Sequence, residues 1–205
     1  MKTLFIPAKI NFEINPKKIQ SLKLPKNIAL AYSIQYKDVA EKIKQILSKK
    51  HKITSFIQVL GCSNPKFSSN TEAVLLISSG RFHAVSLALT SNVPVYILES
   101  DDLKKISENE IEDLRKKKKS AYLKFLNSEK IGILISTKPG QENLKRAISL
   151  REKLKKKNSY LFISNEINTK EFENFDVNSW VNTACPRMDL DSPVINISDL
   201  ENLSN

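Results

Sequence analysis

The chain has 205 residues, enough for one large or two small domains with a real core and no need of metal or disulfide staples. Its 33 Lys+Arg against 22 Asp+Glu give a net charge of +11, and 40% hydrophobic residues argue against wholesale disorder. No apolar run approaches the ~20 residues that cross a bilayer, and Leu4-Phe5-Ile6 is too short for a signal-peptide core, so a cytoplasmic protein with no membrane partner is expected.

In chain order, Leu4-Phe5-Ile6 reads as a short strand, and residues 16–22 as a helical turn or two with Pro16 at its start. Residues 27–33 form an apolar strand. Residues 37–49 place Val39, Ile43, Ile46 and Leu47 on one helix face, with lysines opposite. Strands follow at 56–60 and 72–78, a short helix at 81–90, a strand at 93–98, and a long basic helix at 108–127. A second set begins with a strand at 131–136. A helix at 141–157 carries Leu144, Ile148, Leu150 and Leu154. Then come a strand at 160–163, a short helix at 169–175, a strand at 180–184 and a further strand at 194–197. Apolar strands alternating with amphipathic helices predict α/β architecture: two small domains with mostly parallel sheets flanked by helices.

Two cysteines, Cys62 and Cys185, exclude a disulfide scaffold and a CxxC pair. By composition alone they read as buried structural thiols. Both follow predicted strand ends, as do Gly61, Gly80 and Gly140, and sites in parallel sheets form beyond the carboxyl ends of strands. The two cysteines are expected at equivalent ends of two similar domains. Arginine occurs only five times, so lysine carries most of the charge, clustered at 42–52, 115–119 and 153–157. With few aromatics there, and base reading usually done by arginine, solvated helix faces are favoured over a nucleic-acid groove. Trp180 is expected in the core beneath the Cys185 loop, and His51 at the surface.

Four segments are specific. They are Gln58-Val59-Leu60-Gly61-Cys62-Ser63, Ser78-Ser79-Gly80-Arg81-Phe82-His83, Ser136-Thr137-Lys138-Pro139-Gly140-Gln141, and Val181-Asn182-Thr183-Ala184-Cys185-Pro186-Arg187, the last followed by Asp189-Leu190-Asp191. Together they resemble the diphthamide synthase family, the 2-(3-amino-3-carboxypropyl)histidine synthases of archaea and eukaryotes. The resemblance spans nearly the whole chain and is strongest from Gln58 to Asp191. It implies a fold of three homologous α/β domains around a [4Fe–4S] cluster, each domain giving one cysteine. Three thiolates leave one iron open to S-adenosylmethionine. The implied reaction is radical transfer of a 3-amino-3-carboxypropyl group from S-adenosylmethionine to a histidine of elongation factor 2, drawing on an electron donor.

Mapped onto this chain, the resemblance implies a remnant of the first domain at 1–20, a domain at 21–107 carrying Cys62, and one at 108–205 carrying Cys185. Cys62 and Cys185 are the implied metal ligands. Arg81 and His83 are the candidate catalytic residues, lining the pocket or the approach of the target histidine. Gly140, Gln141 and Arg187 are candidates for binding S-adenosylmethionine. Arg187 could take its carboxylate in a bidentate contact or pair with Asp189 or Asp191, and Gly140-Gln141 could be a plain tight turn. Ala84 and Ser63 depart mildly from the family pattern.

The larger departure is the first domain's cysteine, which has no counterpart. Four explanations fit: a separate first-domain chain, a non-catalytic subunit of a heterodimer, a homodimer pooling cysteines, or a truncated relic. The favoured expectation is a split synthase whose partner chain supplies the third cysteine. The alternatives are a non-catalytic binding or scaffold subunit of the same pathway and, more distantly, a basic α/β nucleic-acid-binding protein.

Overall fold

A computed structural model describes residues 4, 6, 8–10, 13–60, 63–186 and 194–203. Uninterrupted apolar runs form its central strands, and lysine-rich amphipathic runs form the helices that cover them. The chain divides into two units, Met1–Leu114 and Arg115–Asn205.

Unit 1 runs α1 (Pro16–Gln20), β1 (Asn27–Tyr32), α2 (Lys37–Leu47), β2 (Lys52–Gln58), β3 (Ala73–Ile77), α3 (Arg81–Thr90), β4 (Val95–Glu99) and β5 (Asp102–Lys105). The strand order is β2-β1-β3-β4-β5. The first four strands are parallel, and β5 is antiparallel to β4. Because side chains alternate along a strand, β1 and β3 feed two cores. Ile28, Leu30, Leu75 and Ile77 pack with Ile43 and Leu47 on one face. Ala29, Ala31, Val74 and Leu76 pack with Ala84 and Leu87 on the other. Ile19 of α1 is fully buried in the first of these cores.

A long helix, α4 (Glu108–Asn127), crosses the boundary between the units. Ile111 packs against the second core of unit 1, while Ala121 and Phe125 belong to a core of unit 2. Unit 2 continues with β6 (Lys130–Ser136), α5 (Leu144–Lys153), β7 (Asn158–Ser164), β8 (Ser179–Asn182), β9 (Val194–Asn196) and α6 (Ile197–Leu203). Its sheet, β7-β6-β8-β9, is wholly parallel. The two units therefore share one connectivity: a first strand, a helix, a second strand to one side, then a third strand to the other. Each sheet reverses direction beside its first strand, between β1 and β3 and between β6 and β8, where α/β sheets open a crevice beyond the strand ends. The α/β class with mostly parallel sheets and flanking helices is as expected.

Some elements differ from expectation. Leu4 and Ile6 are irregular and exposed, with no described strand pairing beside them. The charged segment Asp102–Lys105 is a strand nonetheless; it is an edge, where lysines discourage further pairing. The helix expected from 141 begins at Leu144, because a turn precedes it. β8 ends at Asn182, whose side chain takes over the Ala184 N–H. His51 is half-buried rather than exposed, its Nδ1 lying 2.8 Å from the Pro25 carbonyl oxygen.

Candidate active-site loops at the strand ends

In unit 2 the crevice side of the sheet is built from the ends of β6 and β8. After β6, Lys138-Pro139-Gly140-Gln141 forms a turn in which Gln141 N–H donates to the Lys138 carbonyl at 3.0 Å. Gly140 has φ +79°, so the turn has Pro at its second position and Gly at the left-handed third, a type II arrangement. Ser136 Oγ accepts the Lys138 N–H at 3.1 Å and donates to the Asn165 carbonyl at 3.3 Å. The turn is thus fixed, and the Gln141 backbone donor is already engaged. The tight-turn reading accounts for Gly140 by itself.

After β8 the chain enters the Cys185 loop. Thr183 Oγ1 donates to the Leu134 carbonyl at 2.7 Å, and Asn143 Nδ2 donates to the Thr183 carbonyl at 2.7 Å. This second bond spends the Asn143 side chain on the loop instead of on capping α5. It also ties the segment after the Gly140 turn to the start of the Cys185 loop. Asn182 is 1% exposed. Its Oδ1 accepts the Ala184 N–H at 2.8 Å, and its Nδ2 donates to the Cys185 carbonyl and to Asn196 Oδ1, each at 2.8 Å. Asn196 Nδ2 donates to the Pro186 carbonyl at 3.2 Å. Cys185 is half-buried and is not in a disulfide. Beneath the sheet, Trp180 is buried against Phe162 and stacks on Phe172, as a core residue should.

In unit 1 the corresponding crevice lies at the ends of β1 and β3, where Ser33 Oγ and Ser78 Oγ share a buried hydrogen bond of 3.0 Å. Gly80, at φ +85°, leads into α3 and donates its N–H to Glu99 Oε1 at 3.3 Å. Lys104, and secondarily the Gly80 N–H, hold the Glu99 carboxyl below its ordinary pKa. Arg81, the first residue of α3, pairs with Glu110, its Nε donating at 2.7 Å. The Ser107 hydroxyl, then the Ser107 N–H and finally Arg81 hold the Glu110 carboxyl below its ordinary value. His83 lies two residues further along α3, half-buried, its ring edge-on to Phe82 at 5.4 Å between centroids. Beyond β2, Ser63 N–H donates to the Leu60 carbonyl at 3.0 Å and Leu60 N–H to Ser63 Oγ at 2.7 Å.

Gly61, Cys62 and Arg187 lie outside the described residues, as do Asp189 and Asp191. The structure places Gly140, Gln141 and Cys185 at the crevice side of one sheet and Arg81 and His83 together in the other unit. The two cysteines follow strands of different rank in their units. Cys62 follows β2, the second strand of its unit, whereas Cys185 follows β8, the third strand of its own. What they share is placement after a carboxyl strand end, not a topological position. Among the described residues no cluster of three or more His, Cys, Asp or Glu could hold a metal. The motif reading gave no role to Asn182, though it lies in the Cys185 segment, nor to Asn143, Asn196 or Glu110. A polar residue inside the apolar run Trp180-Val181-Asn182 was the available signal, since a buried amide must find partners.

The diphthamide synthesis protein family model matches residues 1–201. The chain belongs to this family. It is 30% identical to the 2-(3-amino-3-carboxypropyl)histidine synthase of Methanocaldococcus jannaschii, with 95% of this chain and 58% of that protein covered. Identity to the Pyrococcus horikoshii synthase is 32%, over 65% of this chain and 40% of that protein. The chain thus spans about half the length of these diphthamide synthases. Its structure resembles the crystal structure of Dph2 from Pyrococcus horikoshii, also solved with a 4Fe-4S cluster. The TM-score is 0.75 at 26% identity, covering 88% of this chain and 57% of that one. The α/β architecture is therefore that of a diphthamide synthase. No helix among the described residues is long and apolar enough to cross a membrane.

Proposed function

We propose that this chain is a cluster-binding part of a diphthamide synthase. The activity would transfer a 3-amino-3-carboxypropyl group from S-adenosylmethionine to a histidine of elongation factor 2. The observation that carries this reading is a family match over residues 1–201 joined to a half-buried Cys185 thiol in a loop tied down at a carboxyl strand end.

The residues fit a [4Fe–4S] cluster in kind. Thiolates are the ligands iron–sulfur clusters take, and Cys185 is in no disulfide. In number they fall short, since the 205 residues hold two cysteines. Cys62 and Cys185 would be two ligands, and the third would come from a first domain outside these 205 residues. When bound, the cluster would supply an iron open to the sulfonium substrate and the electron, passed on from a donor, that cleaves it.

The other roles fall to this chain's own side chains. Arg187 would pair with the substrate's carboxylate. The Gly140 turn, together with the Gln141 side chain, would hold its ribose or carboxylate. His83 would line the approach of the target histidine. Arg81 would set the start of α3 through Glu110 and present its remaining guanidinium edge to the pocket.

Anaerobic reconstitution with ferrous iron and sulfide tests the reading. A stable four-iron cluster is expected only when the chain bearing the third cysteine is present, and is lost in Cys62→Ala and in Cys185→Ala. A cluster unchanged in both variants overturns the ligand assignment. An intact partner complex that takes up no iron favours a non-catalytic subunit. Salt-sensitive RNA binding without iron uptake favours the nucleic-acid reading.

A further inference from the structure

The described start of the Cys185 loop, Thr183 to Pro186, is held by buried amides. Asn182 and Asn196 face each other in register across β8 and β9. They continue the sheet face that carries Trp180 and Val194, which are apolar and buried. At 1% and 3% exposure, two apolar residues would fill this space without the desolvation that an amide must recover. The amides recover it through bonds to the loop and to each other. Asn182 holds Ala184 N–H and the Cys185 carbonyl, Asn196 holds the Pro186 carbonyl, and the two side chains bond each other. Three consecutive residues, with the cysteine in the middle, are therefore fixed through their backbone by one pair of side chains.

We propose that Asn182 and Asn196 are positioning residues for the Cys185 thiol, setting the loop that aims it as a metal ligand. The inference rests on reading Cys185 as a ligand. An anchor serving the fold alone could bond anywhere along the loop, whereas these bonds bracket the thiol-bearing residue on both sides. Groups that orient ligands from behind typically change metal affinity by about 10–100-fold when removed. The bonds described run to the loop backbone, so the effect is carried through backbone geometry.

The test uses the full chain and follows alkylation by iodoacetamide, with Cys185 and Cys62 resolved by mass spectrometry. Asn182→Ala is expected to speed alkylation of Cys185 about tenfold or more, with Cys62 unchanged as the internal control. If Asn182→Ala does not fold, Asn196→Ala carries the same expectation. Cys185 alkylation that stays at the wild-type rate in the folded alanine variants overturns the inference.

The second readout is iron content and the electron paramagnetic resonance signature after anaerobic loading of the complex. Lost iron or shifted g-values in Asn182→Ala support the proposal. Faster alkylation with unchanged iron and g-values reduces the pair to a fold anchor and overturns it. If Cys185→Ala itself keeps iron and g-values, the ligand reading fails instead, and the alkylation result then stands on its own for the loop.

Discussion

Gly132 shows how one missing methyl group sets a core. It pairs in register with Trp180 across β6 and β8, and a Cβ on Gly132 would overlap the indole ring. The ring in turn is hemmed in by Phe162, Phe172 and Phe175, so it has nowhere to retreat. Gly132→Ala should therefore overpack this face and destabilise the protein by about 1–3 kcal/mol. The check is the denaturant midpoint with an unchanged slope; an unaltered midpoint would mean the indole can shift. Gly140 is constrained differently. Its φ of +79° is the left-handed region, where an added Cβ costs about 1–2 kcal/mol. Gly140→Ala should show that loss in the same measurement. Gly140→Asn should recover part of it, because asparagine tolerates this conformation better than other side chains. Equal loss in both variants would show that crowding, not backbone conformation, selects the glycine.

At the level of elements, the start of α4 joins two helices of unit 1. Ser107 and Glu110 form a capping box: Ser107 N–H donates to Glu110 Oε2 at 3.0 Å, and Ser107 Oγ receives the Glu110 N–H at 3.4 Å. Arg81 of α3 pairs with the same carboxylate. Ser107→Ala should cost about 1 kcal/mol. The pH dependence follows from the sign of the Glu110 shift. Its folded value lies below its ordinary 4.5, so its contribution is complete above that value and disappears as pH falls through the lowered one. Glu110→Gln should accordingly be less stable than wild type at about pH 7, with the gap closing as pH falls through the lowered folded value. A gap independent of pH would mean that shape, not charge, matters there. The order and type of the central elements were legible in the sequence because apolar runs and lysine-faced helices leave strong periodic signals, as at Ala73–Ile77 and Lys37–Leu47. Local side-chain chemistry was less legible. Asn182 ends β8 by bonding the Ala184 N–H, and the Gly140 turn delays α5. Both depend on bonds that no periodicity reports. The motifs located the loops, but the partners of Arg81 and of the Pro186 carbonyl come from distant residues, Glu110 and Asn196, that only the folded chain brings near.

For the molecule as a whole, the decisive feature is that two sheets of the same connectivity keep separate cores, while one helix serves both. Ile28, Leu30, Leu75 and Ile77 cluster with residues of unit 1, and Ile131, Ile133 and Val181 with residues of unit 2. Proteins open in cooperative units that follow such clusters. Trp180→Ala removes a buried ring that is 5% exposed, a change that costs about 3–5 kcal/mol in a packed core. Amide hydrogen exchange should then rise across β6, β7 and β8 while β1 and β3 keep their protection. α4 makes the sharper test. Its first turns pack through Ile111 on the core of unit 1 and its last through Phe125 on that of unit 2. Exchange in Trp180→Ala should therefore rise toward Asn127 and stay low near Glu108, with the change falling close to Leu114, where the units divide. Loss of protection along the whole of α4 would mean that the helix transmits unfolding from one unit to the other. In that case a change beneath the Cys185 loop would also loosen the start of α4, and with it the Glu110 carboxylate that holds Arg81.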